Sequence, residues 1–325
     1  MHDVRVVTVT LNPAIDHLLE APQFVVGSHV RAKRIGRNPA GKGVNIARII
    51  AALGSRCIAT GFVGTGELDM FESFLDASGK GRVTNQLLRV RGRTRDNVTI
   101  MDPVLDTETH IREQGFAVVR DDINRMASKI SMLAREGTAI VFGGSLPEGM
   151  TIGDFRSLVH VAQDGGARVI VDVSGEALEV MREEPLWMLK INDKELAGFV
   201  GKTHDSEEDL IETALALSTR RDGQYAHVVV TRGAAGAIAV TPGEVVVGRV
   251  FVHPGLIAHT VGCGDAMLAG ILHGTLLGEE WDESLRHGLS AATATAVSRE
   301  PGVISLEDVA QFYEAADMQV TARIM

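Results

Sequence analysis

The strongest constraint on the fold of this chain is a regular alternation of two kinds of segment. Short runs rich in valine and isoleucine recur along the sequence, separated by amphipathic stretches long enough to form helices. The apolar runs lie at residues 5–10, 57–62, 139–142, 169–173, 187–191 and 227–231. The helix-length stretches lie at residues 44–53, 67–77, 121–136, 152–163 and 207–220. Strands and helices that alternate in this way predict an α/β fold, in which helices cover both faces of a mostly parallel sheet.

Two stretches break this alternation, and the C-terminal part changes character. Residues 12–36 and 88–118 are polar and strand-like with no helix between the strand candidates, which predicts a small β-sheet lid beside the main sheet. From residue 266 the pattern becomes helical, over 266–277, 283–297 and 306–317. Because no repeat, low-complexity tract or linker divides the chain, we expect residues 1–325 to form a single domain.

The charge balance excludes several classes of partner. The chain carries 32 lysines and arginines against 42 aspartates and glutamates, a net charge of −10, so no global charge recruits nucleic acid or an anionic membrane. The N-terminus lacks the apolar core of a signal peptide, and no apolar run approaches the roughly 20 residues of a membrane helix. Two cysteines, Cys57 and Cys263, are too few for a zinc site or a disulfide framework. We therefore expect a cytoplasmic protein.

The segment GRNPAGKG, residues 36–43, comes close to a phosphate-binding P-loop. That motif requires a hydroxyl residue after its lysine, whereas this chain has Gly43 there, so we exclude a P-loop nucleoside triphosphatase. What remains is a glycine-rich entry to a helix, with Lys42 and Asn45 near the helix start. A packing turn and a binding loop explain this pattern equally well.

Arginines occur at every second position from 89 to 95, in RVRGRTRDN. If these residues formed one strand, all four side chains would lie on one face. A solvated sheet edge is the commoner reason for such a row. A phosphate clamp is the alternative, with one or two of the arginines pointing into a site.

Two further motifs follow apolar strands. In INDKEL, Asn192 precedes Glu195 by three residues, which favours a helix-capping box, with a Mg²⁺ site as the alternative. In VVVTRGAAG, the turn residues Thr231, Gly233 and Gly236 could let a ring or a phosphate approach the backbone closely. Turns with glycine after a strand are also common as purely structural connections.

The segment HTVGCGDAMLAG places a carboxylate beside two glycines at the start of a helix. Asp265 could cap that helix, since aspartate is a favoured N-cap residue. Alternatively, Gly262 and Gly264 let backbone N–H groups converge on an anion while Asp265 accepts a proton. The helix dipole could lower the thiol pKa of Cys263, but we favour its role as a small residue in a tight turn over that of a nucleophile.

Taken in order along the chain, these pieces resemble the PfkB (ribokinase-like) carbohydrate kinases. The resemblance rests on TLNPAID, AGKGVN, GRTRDN, GSLPEG, DVSGEAL, KINDKEL, VTRGAAG and TVGCGDAMLAG, which run nearly from end to end. TLNPAID and TRDN favour the hexose-phosphate kinase branch, typified by 1-phosphofructokinase and tagatose-6-phosphate kinase. The fold implied is a three-layer α/β/α sandwich with a small β-sheet lid. A homodimer joined through the lids is also implied.

The resemblance implies a role for each matching residue. Asp265 would be the catalytic base, and the backbone amides around Gly262, Cys263 and Gly264 would bind the transferring phosphoryl group. Residues at sugar-binding positions are Asp16, Gly41, Lys42 and Asn45, with Arg31, Arg95 and Ser145 toward the sugar phosphate. Residues on the ATP side are Thr231, Gly233, Gly236 and Gly264, with Asn192 and Glu195 organising phosphate and Mg²⁺.

The activity implied is transfer of the γ-phosphoryl group of ATP to a ketohexose phosphate, with Mg²⁺ as cofactor. Fructose 1-phosphate is the expected substrate and fructose 1,6-bisphosphate the product. Tagatose 6-phosphate and fructose 6-phosphate are the alternatives. A catalytically silent sugar-phosphate sensor is a more remote one, against which the retained Asp265 speaks.

Overall fold

The computed structural model describes residues 5–219, 225–298 and 303–322, which form two β-sheets and ten α-helices. The strands are β1 (Arg5–Thr10), β2 (Ala14–Glu20), β3 (Lys33–Ala40), β4 (Cys57–Gly64), β5 (Val83–Val90), β6 (Arg95–Asp102), β7 (Thr107–Arg112), β8 (Thr138–Gly143), β9 (Arg168–Asp172), β10 (Leu186–Asn192), β11 (Tyr225–Thr231), β12 (Ala237–Val240), β13 (Glu244–Arg249) and β14 (Asp317–Ala322). The helices are α1 (Lys42–Ala52), α2 (Leu68–Gly79), α3 (Arg120–Leu133), α4 (Ile152–Asp164), α5 (Glu176–Glu179), α6 (Asp193–Val200), α7 (Glu207–Thr219), α8 (Cys263–Leu277), α9 (Trp281–Val297) and α10 (Leu306–Glu314).

The larger sheet has ten strands in the order β14-β13-β12-β11-β10-β9-β8-β1-β4-β5. From β11 to β5 every pairing is parallel, and β12, β13 and β14 extend the sheet antiparallel. Neighbouring residues of β1 point into separate cores, Val6 into one and Val7 into the other. The chain therefore has the expected mostly parallel sheet with helices on both faces.

The six strands expected from apolar runs are all present, and the first has the expected bounds. Strands β5, β12, β13 and β14 were not anticipated, and β14 begins at Asp317, the last residue of the helix expected over 306–317. Helix α7 matches the expected helix 207–220 through Thr219, and residue 220 lies outside the described part of the chain.

Four strands form a separate small sheet, in the order β3-β2-β6-β7. Strands β2 and β6 are parallel, and the two outer pairings are antiparallel. A small separate sheet was expected, but its second pair of strands begins at Arg95 rather than at residue 88, because β5 continues to Val90 in the large sheet.

The arginine row is consequently divided between two strands and a loop, so its four side chains do not share one strand face. Arg89 is on β5, Arg91 and Arg93 are in the following loop, and Arg95 begins β6. Arg93 is exposed and lies 3.5 Å from the Asp96 carboxylate. Only Arg95 enters the site described below.

The carboxyl ends of the parallel strands meet at one edge of the large sheet, where α/β folds usually bind ligands. Asp172 ends β9, Asn192 ends β10 and Thr231 ends β11, so the polar residues of three strands collect at this edge. Within the three described stretches, no helix has both the length and the apolar character to cross a bilayer.

Candidate active site

Helix α8 begins at this edge, three residues before the expected start at 266. Gly262 is its N-cap residue and adopts a left-handed conformation, with φ 80°, which glycine reaches without steric cost. The first amides of a helix have no acceptor within the helix, so the amides of Gly264 and Asp265 are available to an anion. The expected phosphoryl-binding segment is thus a helix N-terminus.

Asp265 does not cap this helix, so the capping explanation is wrong. It is the third helical residue, 7% exposed, and its Oδ2 accepts a hydrogen bond from Asn45 Nδ2 at 2.8 Å. Burial raises the pKa of Asp265 to about 6, and the negative charge of Asp172 contributes, while Lys42, Asn45 and Lys190 act in the opposite direction. The carboxylate is therefore ionised at neutral pH and can accept a proton.

Asp172 is fully buried and joins two lysines beside Asp265. Its Oδ1 is 2.7 Å from Lys42 Nζ, and its Oδ2 is 3.2 Å from Lys190 Nζ. Burial alone would raise the pKa of Asp172, but the charges of Lys190 and Lys42 outweigh it and lower the pKa. Burial would lower the pKa of Lys42, and the negative charges of Asp172 and Asp265 raise it instead. Asp172 and Lys42 are thereby both held in their charged forms.

Asp172 and Lys190 were not predicted as site residues, although they lie in the segments DVSGEAL and KINDKEL. A signal was present, because each is a single charge inside an apolar strand, in VIVDV and WMLKIN. Charged side chains are almost never fully buried unless they are paired. Two such residues on successive strands therefore predict a buried ion pair.

A cavity of about 590 Å³, which we call the sugar-side cavity because Arg95 and Ser145 line it, lies between the start of β6 and the segment that follows β8. The Arg95 Nη2 donates to Ser145 Oγ at 3.3 Å and to the Asn12 carbonyl at 3.0 Å. Asn12, which the sequence reasoning did not single out, donates from Nδ2 to Ser145 Oγ at 3.3 Å. These bonds fix the guanidinium plane at the cavity wall.

The small sheet supplies Asp16, whose Oδ1 accepts from Asn97 Nδ2 at 2.9 Å. Burial raises the pKa of Asp16. Gly41 is the N-cap of α1, with φ 134°, and a Cβ at this position would lie 2.6 Å from Thr10 Cγ2. Only glycine fits there, and it sets the direction in which Lys42 and Asn45 leave the helix start.

Arg31 lies apart from these residues. It is exposed, in the segment between β2 and β3, and is not among the residues that line either cavity described here. Its expected contact with a sugar phosphate stays a prediction.

A second cavity, of about 500 Å³, lies at the N-terminus of α8, and we call it the ATP-side cavity. Thr231, Gly233, Gly236 and Gly264, the turn and loop residues predicted for the ATP side, line it together with Cys263 and apolar residues that include Phe251. A Cβ on Gly264 would lie 2.8 Å from Lys190 Nζ, so Lys190 reaches the helix N-terminus at the cavity wall.

Burial raises the pKa of the Cys263 thiol to about 11, and the charge of Asp265 adds to the rise. The thiol is neutral at physiological pH, which excludes the lowered pKa that the helix dipole alone would give. Cys263 is therefore poorly suited to act as a nucleophile.

Asn192 and Glu195 form the capping box that their spacing predicts. The Asn192 Oδ1 accepts from the Glu195 amide at 2.8 Å, and the Glu195 Oε2 accepts from the Asn192 amide at 3.1 Å. The charge of Glu195 also raises the pKa of Lys42, so this carboxylate lies toward the ion cluster. In the described part of the chain, no three His, Cys, Asp or Glu residues are grouped as a metal site.

The sequence and the fold are similar to those of known carbohydrate kinases. The model of the pfkB family carbohydrate kinases matches residues 9–308. The 1-phosphofructokinase of Rhodobacter capsulatus is 34% identical over 286 residues, which cover 87% of each chain. That of Escherichia coli K12 is 31% identical over 317 residues, covering 97% of this chain and 98% of its own. The structure of Escherichia coli phosphofructokinase-2 with substrates and products matches with a TM-score of 0.88 at 26% identity, covering 96% of this chain and 99% of that one.

Proposed function

This chain belongs to the pfkB family of carbohydrate kinases, and we propose that it is an ATP-dependent kinase of fructose 1-phosphate. Its reaction class is phosphoryl transfer to an alcohol. The observation that carries the proposal is the buried Asp265 carboxylate, which lies at a helix N-terminus beside the cluster of Asp172, Lys42 and Lys190. Curated 1-phosphofructokinases at 30–34% identity, matched over most of the chain, support fructose 1-phosphate as the substrate.

In the proposed reaction, the sugar's free primary hydroxyl attacks the γ-phosphorus of ATP. A new P–O bond forms, the bond from the γ-phosphorus to the bridging oxygen of ADP breaks, and the hydroxyl proton passes to Asp265. Because the Asp265 Oδ2 already accepts a hydrogen bond from Asn45 Nδ2, we assign proton acceptance to the Asp265 Oδ1. The amides of Gly264 and Asp265 and the ammonium groups of Lys42 and Lys190 bind the charge that develops on the phosphoryl oxygens.

We further propose that Mg²⁺ accompanies ATP. Bound Mg²⁺ neutralises phosphate charge, and it usually keeps several waters and takes few protein ligands. Asn192 and Glu195 fit this mode because both offer oxygen donors near Lys42, although each already serves the cap of α6. We therefore assign them to contacts with metal-bound water rather than to a full ligand set.

We propose that residues 1–325 act as one kinase unit in which the small sheet closes over the sugar. We also propose that two copies of the chain pair through their small sheets. Val26 and Ile111, both exposed on the small sheet and its loop, are suited to such a contact. Sedimentation equilibrium tests the dimer.

We also propose that the protein is cytoplasmic. Neither cysteine is in a disulfide, and the proposed reaction uses ATP, which supports this location.

A coupled assay of ADP release tests the function. Purified protein with Mg-ATP is offered fructose 1-phosphate, fructose 6-phosphate and tagatose 6-phosphate, and the product is identified by NMR. We expect the highest kcat/KM with fructose 1-phosphate and fructose 1,6-bisphosphate as the product. If another sugar phosphate gives the highest kcat/KM, that sugar is the substrate in place of fructose 1-phosphate. Binding of a sugar phosphate without turnover would favour the non-catalytic sensor.

Replacing Arg95 with alanine is expected to raise the KM for the sugar phosphate by about 10- to 100-fold, because a charge-assisted fork to phosphate is lost. The KM for ATP should change by less than about twofold, since Arg95 lines the sugar-side cavity. Steady-state kinetics with each substrate varied in turn measures both constants. Arg91→Ala, in the exposed loop nearby, controls for the loss of one positive charge. Equal increases for both substrates would contradict the role of Arg95.

A further inference from the structure

The turn between β11 and β12 separates the ATP-side cavity from a third cavity, of about 550 Å³. We call residues 232–236 the nucleotide turn. Gly233 and Gly236 line the ATP-side cavity, Ala235 lines the third cavity, and Ala234 lines both. The backbone of the nucleotide turn is therefore a thin wall, and any displacement of it changes the shape of the ATP-side cavity.

The two ends of this turn are supported differently. At Gly236, with φ 89°, a Cβ would lie 2.1 Å from the Gly248 carbonyl oxygen, so the end of the turn rests directly on the backbone of β13. At Gly233 a Cβ would have no atom of the described residues within 4 Å. Close packing thus fixes the end of the turn and leaves its beginning without this support.

The Arg232 side chain supplies the missing support. Its Nη2 donates to the Ala235 carbonyl at 2.8 Å, and its Nη1 donates to Oε2 of Glu207, the first residue of α7. The Arg232 Nε has no acceptor among the described residues, so these two bonds are the ones that hold the guanidinium. The Arg232 side chain is only 11% exposed, so we expect the ion pair to be stronger than one on the open surface. One side chain therefore ties the nucleotide turn to α7.

We propose that Arg232 is a positioning residue for ATP, which holds the nucleotide turn against the start of α7 and so fixes the shape of the ATP-side cavity. This inference rests on the proposed use of ATP. It adds Arg232 and Glu207, which line the third cavity and are not among the described residues that line the ATP-side cavity. A wall that is held in place before ATP binds reduces the ordering cost of binding. The pair should therefore act on ATP affinity and not on the sugar.

The first test compares Arg232→Met and Arg232→Lys with the wild type. We expect Arg232→Met to raise the KM for ATP, and the Kd for ADP measured by calorimetry without sugar, by about 3- to 10-fold. The kcat and the KM for fructose 1-phosphate should stay within about twofold of the wild-type values. Arg232→Lys should show a smaller increase, because lysine reaches Glu207 but lacks the fork that also bonds Ala235.

Arg249→Met is the matched control for this test. Arg249 also lines the third cavity, but its guanidinium bonds to Asp317 on β14 and not to the nucleotide turn. Its Kd for ADP should therefore equal that of the wild type. An increase in Arg249→Met as large as that in Arg232→Met would overturn the proposal, because any lost charge in the third cavity would then have the same effect.

Replacing Glu207 distinguishes positioning from a direct pull of the Arg232 charge on the ATP phosphates. If the charge acted directly, removal of the Glu207 carboxylate would strengthen nucleotide binding. If Arg232 positions the turn, Glu207→Ala should weaken it, with an increase of about 2- to 5-fold in the Kd for ADP. Glu208→Ala, which removes the neighbouring exposed carboxylate of the same helix start, is the control.

The double variant completes the cycle. Because both residues act through one contact, Glu207→Ala combined with Arg232→Met should bind ADP no more weakly than Arg232→Met alone. An unchanged or lowered Kd in Glu207→Ala would overturn the proposal, even if Arg232→Met fails to fold. A wild type that binds ADP but phosphorylates no ketohexose phosphate would overturn the proposed function, while the ADP series still decides this inference. A wild type that binds no ADP would overturn both.

Discussion

Asp265→Asn is expected to lower kcat by about 10²- to 10⁴-fold, the usual contribution of a positioned general base. Asparagine keeps the size of the side chain but cannot take the proton from the attacking hydroxyl. The KM values for both substrates should change little, because neither the sugar-side nor the ATP-side cavity wall is altered. The coupled ADP-release assay measures this, with Asp76→Asn on the exposed face of α2 as a control of equal charge change. Near-full activity of Asp265→Asn would refute the base assignment.

The pH dependence of the wild type follows from the same carboxylate. Burial raises the pKa of Asp265 to about 6, and catalysis needs the ionised form. The value of kcat/KM should therefore fall as the pH falls through about 6, whereas a base with the usual aspartate pKa would stay active to about pH 4. An activity that remains level down to pH 5 would contradict the raised pKa.

Asp265→Asn should raise the stability of the fold while it lowers activity. The folded-state pKa of Asp265 lies above its unfolded value, so ionisation at pH 7 destabilises the fold, and this penalty disappears below about pH 4. Asp265→Asn should therefore raise the free energy of unfolding at pH 7, by about 1–3 kcal/mol. Denaturant unfolding at pH 7 measures the gain. A loss of both stability and activity would instead indicate that the variant damages the fold.

The fold follows from local sequence features wherever a strand is buried on both faces. Strand β8 is buried at all six positions, and its run of apolar residues is visible in the sequence. Strands β5 and β14 were not predicted because polar residues interrupt their apolar residues, as in VTNQLLRV and DMQVTA. Both strands lie at edges of the large sheet. An edge strand has one partner and much exposed surface, so its composition resembles that of a loop.

Residues of the site could be predicted where they lie in a sequence motif. Contacts that depend on the order of the strands could not be predicted. Arg95 and Ser145, which lie in two of the motifs that carry the family resemblance, are hydrogen-bonded to each other. The contact of Asp172 with both Lys42 and Lys190 requires β9 to lie beside β10 and α1 to begin near the end of β8, and no local pattern contains that information. A buried charge in a strand shows that a partner exists but not which residue it is.

Asp172→Asn is expected to reduce the free energy of unfolding by about 3–5 kcal/mol, the cost of removing one partner from a buried ion cluster. Asp172 is fully buried, and its loss leaves two ammonium groups facing a neutral amide. Denaturant unfolding measures the effect, with Asp164→Asn at the exposed end of α4 as the control. A change below about 1 kcal/mol would show that water reaches the lysines and replaces the carboxylate.

The same cluster should shift the pH profile in opposite directions when its two signs of charge are removed separately. The negative charge of Asp172 raises the pKa of Asp265, and the positive charge of Lys190 lowers it. In Asp172→Asn the acid limb of kcat/KM should therefore move below about pH 6, and in Lys190→Met it should move above that value. Lys190→Met leaves the pair of Lys42 and Asp172 in place, so it tests the electrostatics even if Asp172→Asn does not fold. Shifts of the same sign in both variants would mean that the carboxylate responds to altered packing rather than to charge, and the ion cluster would then have no part in setting its pKa.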